Sequence, residues 1–386
     1  MKLDDRQRDV INGGAGAAMA KAMKTLVGYG EAFGAARMVP VKSCHLAGTF
    51  GFVSYGAYYA VLEMMTAAGL RVVVPTTLNP RPGAALSLMN RYAFLKQKRL
   101  EEMLESIGAT PNYSCVCYDG ANVPGPGDRL AWAESSAVQY ANSVLGARTN
   151  RNSVLIDICS AITGCTPEFG YLLDERRRGQ VLVRLAVKEM DASALGYLIG
   201  QRVVNRVPVI EHYGFTAIQL KNMGGAMAAA GGVALFHVLG LTPEAPDMKT
   251  VFGGTEPAET LTITQEDLDG LRSRDLARPD LVVFGCPQMT YDEAVMLGHH
   301  FAGKKVTVPT WFCMVPAALR RLREDVLYGM LVDAGVAIHD VCPVAALSSQ
   351  MGRKKILTSS GKLFYYLAGA AYGSEHDCLK ASGVVA

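Results

Sequence analysis

Charged residues are scarce in this sequence of 386 residues. They make up 19% of the chain, and the formal net charge is only +3. The basic runs are short, at 176–178, 320–321 and 353–355. A nucleic-acid-binding protein concentrates lysine and arginine on one face, so we expect no nucleic-acid partner. Short basic runs are typical of solvated surface, although one of them could serve an anionic substrate.

The sequence also lacks the common nucleotide and hydrolase motifs. Residues 298–304 have the spacing of a phosphate-binding loop, but Lys305 follows where such a loop has serine or threonine. There is no dinucleotide fingerprint with a downstream acidic partner, and no GxSxG elbow. A nucleotide-dependent enzyme has only the failed loop in its favour.

No long apolar run is free of interruption. Residues 223–241 carry no charge and approach the ~20 residues that a bilayer needs. They are interrupted by Gly224, Gly225, Gly231, Gly232 and His237. This composition predicts a buried helix of small residues, a Gly-Gly turn and a core strand at 233–237. We therefore expect a soluble chain with no membrane contact.

Nine cysteines, an odd number, are spread along the chain, and residues 1–8 are polar and unlike a signal peptide. Disulfides persist in oxidising compartments. This cysteine usage is more typical of a reducing cytoplasm, where cysteines are metal ligands or core residues.

The length predicts two or three domains. Towards the C-terminus, predicted strands at 281–284, 305–308 and 336–339 alternate with helices at 291–300 and 317–334. This order favours a parallel sheet covered by helices, an α/β fold. Residues 242–279 are richer in proline and acidic residues. We expect an α/β region at 1–241 in two lobes, a connection at 242–279, and an α/β lobe at 280–386.

Three cysteines stand at turns after predicted strands. Cys286 lies on the strand-to-helix turn that follows residues 281–284. Cys115 lies in a short run at 112–118, just before a turn, and Cys342 follows the strand at 336–339. A nearby helix N-terminus lowers the pKa of a thiol and favours the thiolate that binds metal. Taken singly, each is more typical of a small core residue, but the shared pattern favours a metal site.

Polar residues cluster at other predicted strand ends, where α/β enzymes place ligands. The first cluster consists of Lys42, Ser43, Cys44 and His45, and the second of Thr76, Thr77 and Asn79. Each cluster could also be an ordinary loop. A metal pair of Cys44 and His45 is disfavoured, because adjacent residues rarely ligate one ion.

Residues 134–151 form the most polar segment that has a helical pattern. Helical spacing brings Ser135, Gln139 and Asn142 near one another. The end of this helix is followed by Arg148, Thr149 and Arg151. Two arginines beside hydroxyl and amide groups suit a carboxylate or phosphate clamp. The alternative is a capped helix with a solvated tail.

A last polar loop, at 358–362, opens a predicted helix near the C-terminus. It contains Ser359, Ser360 and Lys362. Hydroxyls and backbone amides at a helix N-terminus can bind an anion. The same residues could merely cap a surface helix.

Taken together, these segments resemble the large subunit of aconitase X, a branch of the aconitase superfamily of iron–sulfur hydro-lyases. The likeness lies in seven stretches that run in order from early in the chain to near its end. They are VKSCH (41–45), PTTLNP (75–80), WAESSA (132–137), ANSVLGARTNR (141–151), FGCP (284–287), DVC (340–342) and TSSGK (358–362).

The resemblance implies an aconitase-like fold, with several α/β/α lobes and mostly parallel sheets around a central cleft. It implies dehydration of a small hydroxy acid on an iron–sulfur cluster of two or four irons. The cysteines that match its three ligands are Cys115, Cys286 and Cys342, with Cys117 as an alternative to Cys115. The family works with a small swivelling domain, which is not visible in these 386 residues. We therefore expect a small partner subunit that supplies the serine base.

The same resemblance gives the polar residues their expected roles. The catalytic residues would be Lys42, Ser43, His45, Glu134 and Ser135. The substrate-binding residues would be Thr76, Thr77, Asn79, Asn142, Arg148, Thr149, Arg151, Ser359, Ser360 and Lys362.

Two substrates are known in the family that this chain resembles. Bacterial-type members dehydrate cis-3-hydroxy-L-proline to an imine of proline, and archaeal-type members dehydrate mevalonate 5-phosphate. Cys44 and Cys117 stand where archaeal-type members have alanine and proline, so we expect the hydroxyproline reaction. A competing class is a non-catalytic scaffold whose cysteines are structural or bind zinc.

Overall fold

The computed structural model describes residues 1–47, 55–83, 88–272, 279–348 and 353–385. In this part of the chain the strands form four sheets, and three of these are entirely parallel. Helices pack against each parallel sheet and define three lobes. The predicted α/β class with mostly parallel sheets is confirmed.

The first lobe is built on a three-stranded sheet of order β3-β2-β4. Its core is lined by apolar residues of the long N-terminal helix, the sheet and the last helix of the lobe. Its elements are α1 (Asp5–Ile11), α2 (Ala17–Ala32), β1 (Met38–Pro40), β2 (Ser43–Leu46), α3 (Tyr55–Ala67), β3 (Thr76–Leu78), α4 (Leu88–Ser106), β4 (Leu130–Trp132), α5 (Ser135–Ser143), α6 (Val154–Thr163) and β5 (Cys165–Pro167).

The second lobe has a four-stranded sheet of order β8-β7-β6-β9. Its elements are β6 (Val181–Ala186), α7 (Ala192–Val203), β7 (Pro208–Ile210), α8 (Ala217–Gly231), β8 (His237–Val238), α9 (Met248–Val251), β9 (Thr260–Thr264) and α10 (Gln265–Leu271). The predicted small-residue helix is α8. It packs closely on α7, and only glycine fits at position 196 of α7, because a Cβ there would lie 2.1 Å from the Met223 carbonyl oxygen.

The third lobe has a five-stranded sheet of order β12-β11-β10-β13-β14. Its elements are β10 (Leu281–Met289), α11 (Tyr291–Gly298), β11 (Thr310–Met314), α12 (Pro316–Arg323), α13 (Val326–Ala334), β12 (Val336–His339), α14 (Pro343–Leu347), β13 (Ile356–Thr358), α15 (Gly361–Tyr366), β14 (Ala371–Tyr372) and α16 (Glu375–Ala381). Strand β10 is central, and its register with β11 shifts between Phe284 and Met289.

Three sequence expectations differ from the structure. The presumed connection at 242–279 contains β9, which pairs in parallel with β6 and so completes the sheet of the second lobe. The strand expected at 305–308 begins only at Thr310, after Pro309. The core strand expected at 233–237 is paired only at its end, as β8. Local composition does not report these pairings, because each depends on a partner strand distant in sequence.

Buried polar side chains join the lobes. Arg177, between the first two lobes and 3% exposed, pairs with Glu244 and donates to the carbonyl oxygens of Asn142 (2.9 Å) and Ala147 (3.1 Å). Between the second and third lobes, Lys221 of α8 forms a buried ion pair with Glu293 of α11. These contacts orient the lobes, because each buried charge must keep its partners.

No helix in the described part of the chain is both long and apolar enough to cross a bilayer.

We predict that Arg177→Met lowers the free energy of unfolding by about 3–5 kcal/mol, because it leaves several buried carbonyl groups and the partly buried carboxylate of Glu244 without their donor. Chemical denaturation measures the change. Arg202→Met is the control, since Arg202 forms a more exposed pair with Asp267 and should lose much less. Equal losses in the two variants would contradict a special role for the Arg177 network.

Candidate active site

Three cysteines approach one another where the first and third lobes meet. Cys286 lies near the C-terminal end of β10, and Cys342 follows β12 and is the N-cap of α14. Strands of a parallel sheet end at the same edge, so these two lie on one side of the third lobe. Cys115 comes from an irregular loop of the first lobe, not the end of a strand, and its sulfur accepts a hydrogen bond from the Gln288 N–H at 3.2 Å.

The glycine before Cys286 is required by the bend of β10. Gly285 has φ +101°, and a Cβ there would lie 2.2 Å from the Cys313 carbonyl oxygen. The strand therefore passes close to β11 and changes register at the cysteine. Cys286 is thus presented from an irregularity within the central strand and not from a turn after it.

Burial raises the pKa of all three thiols, to about 12 for Cys115 and well above the ordinary value for Cys286. The expectation that a helix N-terminus lowers the pKa is wrong, because desolvation outweighs it. Charge on Cys115 or Cys342 would further raise the pKa of Cys286, whereas Lys362 lowers it. The three sulfurs therefore share one electrostatic environment, and a metal that bound them would displace their protons.

The donor set suits an iron–sulfur cluster. Among the described residues, no group of three His, Cys, Asp or Glu side chains is arranged to hold a single metal ion. Iron–sulfur clusters are held by cysteine thiolates, and Cys115, Cys286 and Cys342 are ligands of this type. Cys117, the alternative ligand, is fully buried in a separate apolar cluster with Leu130 and Trp132.

A buried ion pair adjoins the thiols. Lys362 of α15 pairs with Glu134, the residue before α5, and also donates to Ser136 Oγ at 3.0 Å. Asn79 Nδ2 donates to the other carboxylate oxygen at 3.0 Å. Burial alone would raise the pKa of Glu134, but the Lys362 ammonium outweighs it and lowers that pKa to about 2. Burial also opposes the charge on Lys362, yet the carboxylate keeps its pKa above the ordinary value.

His45 lies beside this pair at the end of β2. Its Nδ1 is 2.9 Å from Thr77 Oγ1, which also accepts a hydrogen bond from Asn122 Nδ2 at 3.1 Å. Burial lowers the pKa of His45 to about 4, so the imidazole is neutral at pH 7. Its Nε2 is buried and has no hydrogen-bond partner among the residues that the structure describes.

The loop at 358–362 caps α15 against β10. Ser360 is the N-cap, accepting from the Leu363 N–H at 3.0 Å and donating to the Cys286 carbonyl oxygen. Ser359 is partly exposed and lines a cavity of about 50 Å³ together with Cys286, Asn222 and Glu375. Both serines therefore adjoin Cys286, as does Lys362 through its charge.

Several predicted site residues lie elsewhere or have structural partners. Lys42 is exposed, because it precedes β2 and so stands at the opposite end of the strand from His45. Ser43 accepts a hydrogen bond from the Trp132 indole at 3.3 Å, and Thr76 donates to the Val74 carbonyl at 2.9 Å. Ser135 is buried, with Oγ 3.5 Å from Glu134 Oε1.

The residues of the expected anion clamp at 142–151 have partners within the protein. Asn142 Nδ2 donates to the Thr149 and Ala234 carbonyl oxygens, and its oxygen accepts from the Thr149 N–H at 2.9 Å. Arg148 pairs with Asp174. Arg151 is exposed and donates to the Ala228 carbonyl oxygen at 3.2 Å. This segment stabilises the junction of the first two lobes.

Sequence reasoning missed two contributors. Ser136 binds the Glu134–Lys362 pair, although only its neighbours were proposed. Gln288 contacts the Cys115 loop and was given no role. The only available signal was position in the sequence, since Ser136 follows Ser135 directly and Gln288 follows Cys286 by two residues.

Comparison with known proteins decides the family. Models of the aconitase X first, second and third domains match residues 1–175, 179–273 and 279–383. The chain belongs to the aconitase X family. The crystal structure of Thermococcus kodakaraensis aconitase X in its holo-form superposes with a TM-score of 0.88 at 31% identity, covering 98% of this chain and 99% of that one.

Two groups of curated relatives are dehydratases. The phosphomevalonate dehydratase large subunit of Methanosarcina mazei is 34% identical, with 99% of this chain and 98% of that protein covered. The cis-3-hydroxy-L-proline dehydratase of Pseudomonas aeruginosa is also 34% identical, with 79% of this chain and 55% of that protein covered. This aconitase X chain is therefore an enzyme of the hydro-lyase class.

We predict that Glu134→Gln destabilises the chain by about 3 kcal/mol at neutral pH, because Lys362 stays buried without its counter-charge. The pKa of Glu134 falls from 4.5 to about 2 on folding. The stabilisation is therefore fully present above pH 4.5 and is lost as the pH falls towards 2.

Urea denaturation of the wild-type chain and of Glu134→Gln across this pH range measures the free energy of unfolding of each. The difference between the two free energies should become smaller as the pH falls. The double variant Glu134→Gln/Lys362→Met should recover part of the loss, since it removes the unpaired charge. If the difference in free energy of unfolding between the wild-type chain and Glu134→Gln did not change with pH, the stabilising role of the ionised Glu134 carboxylate would be contradicted.

Proposed function

We propose that this chain is the large subunit of an iron–sulfur dehydratase that removes water from cis-3-hydroxy-L-proline to give 1-pyrroline-2-carboxylate. One observation carries the proposal: thiols from two lobes adjoin a buried pair of opposite charges, Glu134 and Lys362. Cys115, Cys286 and Cys342 would hold the cluster.

Such a cluster, when bound, would supply a Lewis acid for the leaving hydroxyl. The residues of this chain would bind and orient the substrate. Lys362, kept protonated by Glu134, can donate from Nζ to a substrate carboxylate. The ionised Glu134 can accept a hydrogen bond from a substrate ammonium group. The neutral imidazole of His45 could bind a hydroxyl or a water through Nε2.

The charge of the site favours an amino acid substrate. Lys362 is the cation whose charge acts on Cys115, Cys286 and Cys342, and Glu134 offsets it. A zwitterion such as hydroxyproline matches a neutral pair, whereas a phosphate and a carboxylate together would need extra positive charge. Of the two arginines expected to provide that charge, Arg148 pairs with Asp174 and Arg151 donates to the Ala228 carbonyl oxygen.

Mevalonate 5-phosphate is the second candidate substrate. The observation in its favour is that a phosphomevalonate dehydratase large subunit matches this chain along nearly its whole length. The hydroxyproline dehydratase of Pseudomonas aeruginosa matches with equal identity over a smaller share. Identity alone therefore does not separate the two.

A small partner subunit is part of the proposal. Several relatives of similar length are named large subunits, which supports a second chain in the active enzyme. That subunit would provide the swivelling domain and the serine that removes the substrate proton.

We predict that the chain, co-expressed anaerobically with its small subunit, dehydrates cis-3-hydroxy-L-proline much faster than mevalonate 5-phosphate. Cys286→Ala should lose both iron and turnover, because it removes a ligand. Cys378→Ala is the matched control, since Cys378 is a buried thiol of α16 in the same lobe. Product formation and iron content are measured for each.

Each outcome separates the alternatives. Turnover of mevalonate 5-phosphate alone would replace the substrate but keep the dehydratase. Full activity in Cys286→Ala would remove the cluster assignment. Zinc without inorganic sulfide, and no turnover of either compound, would favour a non-catalytic scaffold.

A further inference from the structure

Gln288 links the three segments that carry the cysteines. It follows Cys286 by two residues near the end of β10 and is only 1% exposed. Its backbone and side chain form hydrogen bonds with Cys115 of the first lobe. Its side chain also forms a hydrogen bond with Val341, the residue before Cys342 in the third lobe. A buried glutamine with partners on each side is well suited to fix distances between those partners.

Towards the first lobe, Gln288 makes three hydrogen bonds to Cys115, one of them a long bond of 3.9 Å from Cys115 Sγ to Gln288 Oε1. Its backbone N–H donates to Cys115 Sγ at 3.2 Å, and its side-chain Oε1 accepts from the Cys115 N–H at 3.3 Å. The sulfur and the backbone of this cysteine are therefore both held by one residue. A hydrogen bond to a ligand sulfur is one of the determinants of the reduction potential of a cluster.

On the other side, Gln288 contacts the Cys342 segment. Its Nε2 donates to the carbonyl oxygen of Val341, the residue before Cys342, at 3.4 Å. The Gln288 backbone is itself anchored, because Lys221 Nζ donates to its carbonyl oxygen at 2.8 Å. Lys221 belongs to α8, so the anchor extends to the second lobe, and the pair of Lys221 with Glu293 adds a second contact with the third lobe.

We propose that Gln288 is a positioning residue that sets the separation of the sulfurs of Cys115, Cys286 and Cys342. The inference rests on the proposed function, in which those sulfurs hold the cluster. Gln288 does not touch the substrate. It acts by fixing the Cys115 loop of one lobe against the central strand of another, as outer partners of metal ligands do.

The test compares Gln288→Met with the wild-type chain. Methionine is similar in length and unbranched, so packing is kept while the side-chain hydrogen bonds to Cys115 and Val341 are removed. Gln265→Leu is the control, because Gln265 Oε1 also accepts from distant backbone, the Lys188 and Glu189 N–H groups at 3.0 Å, but in the second lobe. Melting temperatures without iron establish that each variant is folded.

Two measurements other than activity test whether Gln288 positions the cysteine sulfurs. The first is the rate at which a chelator removes iron from the anaerobically reconstituted chain, together with its electron paramagnetic resonance spectrum. The second is the rate at which iodoacetamide alkylates each cysteine of the iron-free chain, followed by mass spectrometry. For Gln288→Met we expect iron loss about tenfold faster or more, an altered spectrum and faster alkylation of Cys115, with Cys378 unchanged.

If Gln288→Met does not fold, Gln288→Glu provides the second variant. It keeps an acceptor for the Cys115 N–H and loses the donor to Val341, so alkylation should accelerate at Cys342 more than at Cys115. Iron loss, spectrum and alkylation all equal to wild type in either folded variant would overturn the proposal. Failure of the wild-type chain to take up iron and sulfide would instead contradict the proposed function, and the alkylation rates would still test the positioning role.

Discussion

The ion pair between Glu134 and Lys362 is the constraint on which the site depends. It joins the first lobe to the third across a buried boundary, where neither charge could remain without the other. Burying two charges is unfavourable unless their geometry and remaining hydrogen bonds are satisfied. Asn79 and Ser136 satisfy the carboxylate and the ammonium here. The requirement fixes how the two lobes meet, and hence where their cysteines lie.

The other lobe contacts follow the same physical rule. Arg177 and Lys221 are both buried cations that bind carbonyl groups and a carboxylate of a neighbouring lobe. Each would cost several kcal/mol if its partners moved away. The lobes are therefore held by specific polar contacts as well as by apolar packing, and the cysteine cluster lies among these contacts.

Much of the fold was predictable where the signal is local. The helix expected at 291–300 begins at Tyr291 as α11, with Thr290 as its N-cap, and the strand at 336–339 is β12. Local signals failed where the partner is distant: β9 in the presumed connection is recognisable only by its pairing with β6. Residues 242–279 were therefore expected to be a connection, although β9 within them belongs to the sheet of the second lobe.

For the site, the sequence identified residue types better than their environments. The resemblance selected Glu134, Lys362 and the three cysteines, which the fold brings into one electrostatic environment. It also selected Lys42, Arg148 and Asn142, whose positions depend on strand direction and on partners such as Asp174 and Arg177. The pKa expectation for the thiols failed because burial is a tertiary property, and no motif reports it.

The central claim is that Cys115, Cys286 and Cys342 together hold an iron–sulfur cluster. X-ray absorption at the iron edge of the anaerobically purified chain, with iron, zinc and sulfide analysis, tests it most directly. We expect iron bound by sulfur, with neighbouring iron atoms and stoichiometric inorganic sulfide, all lost when the three cysteines are replaced by alanine. Zinc in place of iron, or sulfur-bound iron that survives those replacements, would contradict it.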